Sequence, residues 1–257
     1  MSTTATPDRR ADRPLDGKVA IVTGAGQGAG RGVAEAFVAA GARVALVGRT
    51  LSKLEAVAAA CPEGTTLPLA CDVGEADGLA ATVDRVVDGF GGVQVLVNAA
   101  HHTVRDGALL EVTDDDIDAL WRTGPLASLR LMRLCHPHLR GDGVIINFGS
   151  GAQFTPQGYG AYAATKDALS ALTRAAAVEW GPDGIRCHVI VPHVVSPSME
   201  EDLGRQGRME SIVGKIPVGR LGQPADVGGV AVFLAGPSAT FLTGQTLMVD
   251  GGMIYHR

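Results

Sequence analysis

Tyr162 and Lys166 are the two side chains in this sequence whose types and spacing say most about chemistry. They stand four positions apart in the segment YAATK (162–166), and residues four apart on a helix share one face. A cation held near a phenol favours the phenolate and lowers the pKa of the tyrosine. The phenol can then act as a general acid and base near neutral pH. The pattern alone is also common on solvated helix faces, so its meaning depends on what surrounds it.

Ser150 is the third candidate for the chemistry. It follows the apolar run VIINFG (144–149), which we interpret as a buried strand. Ligands in open α/β sheets bind outside the carboxyl ends of the strands. We therefore expect the Ser150 hydroxyl at such an end, where it can hold a substrate carbonyl oxygen.

A glycine-rich turn, TGAGQGAG (23–30), follows the apolar run VAIV (19–22) and precedes an alanine-rich segment. Glycines at a strand-to-helix turn let the backbone approach a pyrophosphate, and the helix N-terminus supplies free N–H groups. The strand before and the helix after are the context that this motif requires. The turn predicts a dinucleotide site, with an ordinary glycine-rich loop as the alternative. The cofactor-binding residues expected here are Gly24, Gln27, Gly28, Ala29 and Gly30.

The end of the second apolar run indicates which dinucleotide is bound. NAD binding favours an acidic residue at this end, whereas the run ends ALVGRT, with Gly48 in that place and Arg49 next. A guanidinium can hold a 2′-phosphate bidentately. The pattern predicts NADP(H), with NAD as the less favoured alternative and a surface role for Arg49 still open. Gln27 is neutral and adds no second positive charge from the turn.

The third apolar run ends in ACDV (70–73) and completes the predicted cofactor contacts. Asp72 can meet the adenine amino group or cap its own loop, and the sequence leaves both roles open. Val73 is expected beside it.

Short β-branched runs alternate with longer alanine-rich stretches of helical period along the chain. Strands that are apolar on both faces belong in a parallel sheet covered by helices, and this alternation predicts a doubly wound α/β fold. The predicted strands are 19–23, 43–48, 65–70, 93–98, 143–149, 185–192 and 246–250, and the predicted helices are 30–41, 52–61, 77–90, 114–139, 160–180 and 224–236.

Residues 15–257 contain no linker or composition shift, so we expect a single domain. The first 14 residues, rich in Thr, Arg, Asp and Pro, predict a disordered tail. The segment 193–223 is irregular and long for a plain connection, which predicts a lid near 193–217 or short helices within the segment.

Composition excludes several classes of protein. The chain has 257 residues and a net charge of −5 without a basic patch, which argues against a nucleic-acid partner. No apolar run reaches the roughly 20 residues of a membrane helix, and the polar N-terminus is not a secretory signal. The four cysteines lack metal-ligand spacing. We expect a cytoplasmic protein with reduced thiols and no metal.

With these motifs in this order, the chain resembles the short-chain dehydrogenase/reductase family over essentially residues 16–257. The resemblance implies a seven-stranded parallel sheet, a nicotinamide dinucleotide, and interconversion of a ketone and a secondary alcohol. It implies that Ser150 orients the carbonyl, Tyr162 transfers the proton, and Lys166 bonds the nicotinamide ribose and tunes Tyr162. Asn98 would brace the sheet and line the adenosine side. A homotetramer or homodimer is also implied.

The sequence departs from the family pattern at three positions. The strand-four motif NNAG reads Asn98-Ala99-Ala100-His101, so a side chain replaces its glycine. Gly124 stands where the family carries an asparagine that braces a water in the proton relay. Pro125, which follows it, threatens the helix because it lacks an N–H. His193 replaces the glycine of a Pro-Gly pair after strand six.

These departures allow three interpretations. Other side chains and waters can substitute, so that the site works unchanged. His101 or His193 can join substrate recognition or proton transfer, because an imidazole titrates near neutrality. A metal site of His101, His102 and His193 is the third, but no acidic or cysteine ligand is placed to join them.

The predicted substrate pocket combines these histidines with apolar side chains, which favour an apolar or cyclic ketone. Alternatives to an oxidoreductase are a non-catalytic dinucleotide-binding sensor or partner subunit and, by fold analogy alone, a lyase or epimerase on the same scaffold. The pocket residues are His101, Phe154, Tyr159, His193, Val194 and Met199.

Overall fold

The structure is a computed structural model that describes residues 13–102, 108–156, 158–194 and 209–254. Most of the predicted tail lies outside these residues. So do most of the predicted lid and Met199.

Seven parallel strands form one sheet, as the alternation of apolar runs predicts. The strands are β1 (Val19–Thr23), β2 (Arg43–Gly48), β3 (Thr66–Ala70), β4 (Val95–Asn98), β5 (Gly143–Phe148), β6 (Ile185–Pro192) and β7 (Thr246–Val249). Their order across the sheet is β3-β2-β1-β4-β5-β6-β7. The strand order reverses between β1 and β4, which is the switch point where such sheets bind ligands.

Helices cover both faces of the sheet, and the predicted doubly wound fold is confirmed. The described helices are α1 (Gly28–Ala39), α2 (Leu51–Ala59), α3 (Ala76–Phe90), α4 (Asp114–Trp121), α5 (Ala127–Leu139), α6 (Gly160–Glu179), α7 (Met209–Val213) and α8 (Pro224–Ala235). None of these helices has both the length and the apolar character needed to cross a membrane.

The core lies in two layers, one on each face of the sheet. Ala20 and Val22 of β1 join the cluster that contains Phe37 of α1, whereas Val19 and Ile21 join the cluster under α3, α5 and α6. All five residues of β1 are buried, as expected for a strand whose alternating side chains meet helices on both sides.

The predicted helix 114–139 is interrupted but not ended at its proline. Residues Arg122–Leu126 form a π-helical segment that joins α4 to α5, with Gly124 and Pro125 buried inside it. A proline removes one backbone donor, and the wider π turn accommodates that loss without ending the helix.

Thr23, the last residue of β1, ties the two strands at the switch point together. Its hydroxyl oxygen accepts hydrogen bonds from the backbone N–H groups of Ala99, at 3.0 Å, and Ala100, at 3.1 Å. The chain that leaves β4 is thereby held beside the glycine turn that leaves β1.

A buried amide network links the neighbouring strands β4 and β5 to helix α6. Asn98 Nδ2 donates to Asn147 Oδ1 at 2.8 Å, and Asn147 Nδ2 donates to Thr173 Oγ1 at 2.8 Å. The family resemblance stated above implies that Asn98 braces the sheet. Its side-chain partner is Asn147 of the sheet, and the link to helix α6 runs through Asn147.

We expect Asn147→Ala to lower the free energy of unfolding by about 1–3 kcal/mol, because the Asn98 amide and the Thr173 hydroxyl lose their buried partner. Urea denaturation followed by circular dichroism measures the change. Thr155→Ala, at an exposed hydroxyl, is the control and should stay within about 0.5 kcal/mol of the parent chain. An unchanged midpoint for Asn147→Ala would contradict the bracing role.

Candidate active site

A cleft of about 320 Å³ opens at the carboxyl edge of the sheet, next to the ends of β1, β2, β3 and β4. Eight of the predicted cofactor-binding residues line it, and Asn98 and Lys166 do not. The eight are Gly24, Gln27, Gly28, Ala29, Gly30, Arg49, Asp72 and Val73.

The glycine turn forms the wall of the cleft nearest the switch point. Gly24 has a φ of +70°, and a Cβ placed on it would lie 3.0 Å from the Ala100 backbone nitrogen. Any side chain there is strained and crowded. Helix α1 begins at Gly28, so its free N–H groups lie at the cleft. This close, donor-rich backbone fits a pyrophosphate.

A second cation that the sequence analysis missed joins Arg49 at the end of β2. Lys53 lines the cleft, and its Nζ donates to Gln27 Oε1 at 2.7 Å. Lys53 stands in the first turn of α2, four residues after Arg49, so its closeness to Arg49 in the sequence was the available signal. Its ammonium group brings to the turn the positive charge that Gln27 lacks.

Asp72 both lines the cleft and caps its own loop. Its Oδ1 accepts a hydrogen bond from the Gly74 N–H at 2.9 Å. The two roles left open by the sequence are therefore compatible in geometry.

Lys166 is buried beneath the cleft beside Tyr162. Its Nζ donates to the carbonyl oxygen of Phe148, the last residue of β5, at 2.7 Å. The same atom lies 5.5 Å from the centroid of the Tyr162 ring. Burial lowers the pKa of Lys166 to about 7, because removing the ammonium from water disfavours its charged form.

Ser150 caps the short turn that follows β5. Its Oγ accepts a hydrogen bond from the Ala152 N–H at 3.2 Å. A hydroxyl that accepts in this way retains its own proton for donation to another oxygen.

Gln153 fixes this turn to helix α6, and the capping-box spacing Ser150-x-x-Gln153 was a local signal for its contact with Ser150. Its Oε1 accepts from the Ser150 N–H at 2.9 Å, while its Nε2 donates to Asp167 at 2.9 Å and to Ser170 at 3.0 Å. The turn that holds Ser150 and the helix that holds Tyr162 and Lys166 are thereby joined.

His101 lies in the cleft against the Tyr162 ring. The ring centroids are 5.0 Å apart with an interplanar angle of 33°, and His101 Nε2 lies 2.9 Å from the Leu120 carbonyl oxygen. Burial, and then the charge of Lys166, lower the pKa of His101 to about 3. The imidazole is therefore neutral at physiological pH.

The other predicted pocket residues that the structure describes do not line the cleft. His193 donates its backbone N–H to the Val249 carbonyl at 2.9 Å, and burial lowers the pKa of its imidazole. Val194 forms a bridge with Gly222. Phe154 is half-buried, and Tyr159 is exposed just before α6.

Comparison with known proteins assigns the family. The family model described as enoyl-(acyl carrier protein) reductase matches residues 24–254. A 12alpha-hydroxysteroid dehydrogenase from a Clostridium species is 36% identical, over 93% of this chain and 97% of its own. Further curated relatives are named as short-chain reductases or dehydrogenases. The chain belongs to the short-chain dehydrogenase/reductase family.

Two solved structures of similar proteins agree with this assignment. One is L-sorbose reductase from Gluconobacter frateurii with NADPH and L-sorbose, at 32% identity and a TM-score of 0.88, covering 94% of this chain and 98% of that one. The other is 3-ketoacyl-(acyl-carrier-protein) reductase from Brucella melitensis with NADH, at 31% identity and a TM-score of 0.87, covering 93% and 99%. The predicted family and enzyme class are confirmed: the chain is a short-chain dehydrogenase/reductase and an oxidoreductase.

Within the described part of this short-chain dehydrogenase/reductase, no three His, Cys, Asp or Glu side chains are grouped to hold a metal ion. His101 instead contacts the Leu120 carbonyl and Tyr162. His193 lies outside the residues that line the cleft.

The buried ammonium of Lys166 predicts a measurable effect on stability. Lys166→Met should raise the free energy of unfolding at pH 7 by about 1–3 kcal/mol, since the gain from removing a buried charge exceeds the lost hydrogen bond to Phe148. Urea denaturation measures it, and Lys53→Met, at an exposed lysine, is the matched control.

The stability difference should also depend on pH. Lys166 titrates near 7 when folded, against an ordinary value of 10.5, so between these values the unfolded chain binds more protons. The stability of the parent chain then rises with pH across this window, and the advantage of Lys166→Met shrinks. A difference that stays constant from pH 6 to about 10 would contradict the buried charge.

Proposed function

We propose that this enzyme is an NADP(H)-dependent oxidoreductase that interconverts a ketone and a secondary alcohol, with Tyr162 as the general acid and base. One observation carries the proposal. The Lys166 ammonium lies under the cleft, 5.5 Å from the Tyr162 ring centroid, on the same face of α6. A cation so placed favours the phenolate form, which is what a phenol needs to exchange protons near neutral pH.

The residues that would hold the cofactor are those of the cleft. The glycine turn and the N-terminus of α1 fit its pyrophosphate, and Lys166 would bond a hydroxyl of the nicotinamide ribose. When bound, the nicotinamide supplies or accepts the hydride.

The chain's own residues handle the substrate oxygen. Ser150 donates a hydrogen bond from its hydroxyl to the carbonyl oxygen and orients it, while keeping its own proton. In reduction Tyr162 gives its phenolic proton to that oxygen, and in oxidation it takes the proton back. Gln153 keeps the Ser150 turn at a fixed distance from α6.

The preference for NADP rests on charge at the end of β2. Arg49 and Lys53 both line the cleft there, and Gly48 occupies the place of an NAD-selecting carboxylate. Two cations, and no carboxylate at the end of β2 itself, favour a 2′-phosphate over a 2′-hydroxyl.

An apolar rim beside the site supports an apolar or cyclic ketone as substrate. Leu109 and Leu110 are 73% and 99% exposed, and Tyr159 is 47% exposed. A Cβ on Gly160 would meet Leu109 Cδ2 at 2.6 Å, so the Leu109 side chain packs against the first turn of α6. Gly160 precedes Tyr162 by two residues on that turn.

We also propose a cytoplasmic homodimer or homotetramer. The four cysteines are free thiols, which agrees with a reducing compartment. Exposed apolar side chains on α4, at the end of the π-helical segment after it, and shortly before β7 support assembly of identical chains. They are Ile117, Trp121, Leu126, Phe241 and Leu242.

Tyr162→Phe tests the general acid. We expect it to lower kcat/KM at least 100-fold because the proton donor is gone, while the Kd for NADPH changes less than about twofold. NADPH oxidation with a panel of cyclic ketones, ketoses and a 3-ketoacyl thioester measures turnover, and fluorescence titration measures binding. An enoyl thioester is included because of the description of the family model.

Each result of that experiment discriminates. Unchanged turnover in Tyr162→Phe would contradict the assigned role. If the enoyl thioester is the one substrate turned over, the bond that the enzyme reduces is a carbon–carbon double bond, and the proposal of a ketone substrate is wrong. No turnover of the whole panel together with tight NADPH binding would favour a dinucleotide-binding sensor.

Arg49→Ala and Lys53→Met test the cofactor preference. Arg49→Ala should weaken NADPH binding roughly 10- to 100-fold, the worth of a charge-assisted bidentate contact, and Lys53→Met less. Binding of NADH should change less than about twofold, since it lacks the 2′-phosphate. Calorimetry with both cofactors measures this, with Arg31→Ala, an exposed arginine on α1, as the control. Equal losses for both cofactors would refute the 2′-phosphate contact.

A further inference from the structure

His101 and Gly124, two departures from the family pattern, contact each other. A Cβ placed on Gly124 would lie 2.5 Å from His101 Nε2 and 2.7 Å from its Cε1. No carbon approaches another side chain so closely without displacing it. The imidazole therefore occupies its position only because residue 124 has no side chain.

The contact with Leu120 fixes the tautomer of His101. The Leu120 carbonyl oxygen, 2.9 Å away, can only accept a hydrogen bond, so Nε2 carries the proton. The Nδ1 lone pair is then the remaining acceptor. Nδ1 is buried and has no hydrogen-bond partner among the described residues, and a buried acceptor left without a donor is costly.

The location of this acceptor is the reactive end of the cleft. The His101 ring stacks on the Tyr162 ring, and the groups whose charge acts on the imidazole are Lys166 and His102. Because the imidazole is neutral, its lone pair persists while Lys166 carries its charge.

We propose that His101 is a positioning residue for Tyr162, and that its Nδ1 accepts a hydrogen bond from an O–H group that joins the site in the reactive complex. That group is a water or a hydroxyl of a bound reactant. The inference rests on the proposed function, since it concerns the geometry of Tyr162. Gly124 is part of the same arrangement, because the absence of a side chain at this position leaves room for the His101 ring.

Three substitutions of His101 separate ring contact from hydrogen bonding. His101→Ala removes both, His101→Phe keeps the ring, and His101→Gln keeps a donor for Leu120 and an acceptor. We expect kcat for NADPH-dependent ketone reduction to fall about 10- to 100-fold in His101→Ala and about tenfold in His101→Phe, with His101→Gln above His101→Ala. The Kd for NADPH should change less than about threefold in all three variants.

Each of these results bears on one part of the proposal. A kcat for His101→Ala equal to that of the parent chain overturns the positioning role. A kcat for His101→Phe equal to that of the parent chain overturns the acceptor role. A purely structural role would lower the melting temperature and equally affect Kd, KM and kcat, and that pattern also overturns the proposal.

Gly124→Ala tests the coupling. Alone it should lower kcat at least tenfold by displacing the ring, whereas in the His101→Ala background it should change kcat less than about threefold. Effects that multiply in the double variant overturn the coupling. Gly229→Ala is the control, because it places alanine in helix α8, where a Cβ meets no atom within 4 Å. If Gly124→Ala fails to fold, recovery of folded protein in the double variant supports the coupling and its absence overturns it.

A crystal structure of the complex with both NADP⁺ and a secondary alcohol from the panel that the enzyme oxidises identifies the donor. We expect an oxygen within about 3.2 Å of Nδ1, belonging to a water or to a reactant hydroxyl; the lack of any such oxygen overturns the acceptor role. Tyr162→Phe is measured in the same assay. If it retains activity, the proposed function fails; if it is inactive while the His101 variants match the parent chain, only the present inference fails.

Discussion

The hydrogen bond from the Lys166 ammonium to the Phe148 carbonyl sets the geometry of the active site. It joins the last residue of β5 to the middle of α6 at 2.7 Å. Ser150 follows Phe148 by two residues and Tyr162 precedes Lys166 by one helical turn, so this bond fixes how far the hydroxyl lies from the phenol. The ammonium must be buried to make it, which costs stability. The enzyme accepts a less stable fold in exchange for a preorganised site.

The sheet edge supplies the rest of the site. Chains that leave β1, β2, β3 and β4 all reach the cleft because parallel strands end on the same side. Thr23 holds two of these chain segments together by accepting backbone N–H groups from the segment after β4. Asn98, by contrast, does not line the cleft and links β4 to β5 through its hydrogen bond to Asn147. The strand ends thus divide into residues that line the cleft and residues that hold the strands in register.

The fold and the glycine turn were predictable because their signals are local. Strands buried on both faces must be apolar throughout, and a phosphate-binding turn must contain glycine, so both appear in short stretches of sequence. The contacts of Gln153 and Lys53 with distant segments, and the orientation of His101, were not predictable in this way. Gln153 contacts α6 more than a dozen residues later, and Lys53 meets a turn 26 residues earlier. The place of His101 depends on the absence of a side chain at Gly124, which only the packed structure reveals.

The π-helical segment between α4 and α5 has a consequence for the direction in which the two helices face. One residue inserted into a helix of 3.6 residues per turn rotates everything after it by about 100°. Helix α4 contacts α6, whereas α5 contacts α3 and the strands β4 and β5. In a single uninterrupted α-helix, the apolar residues of both halves would face the same direction. The same apolar stripe could then not pack against both sets of neighbours. The π-helical segment that contains Pro125 thus lets the helix continue along its axis. The buried side of the helix packs against different neighbours before and after this segment.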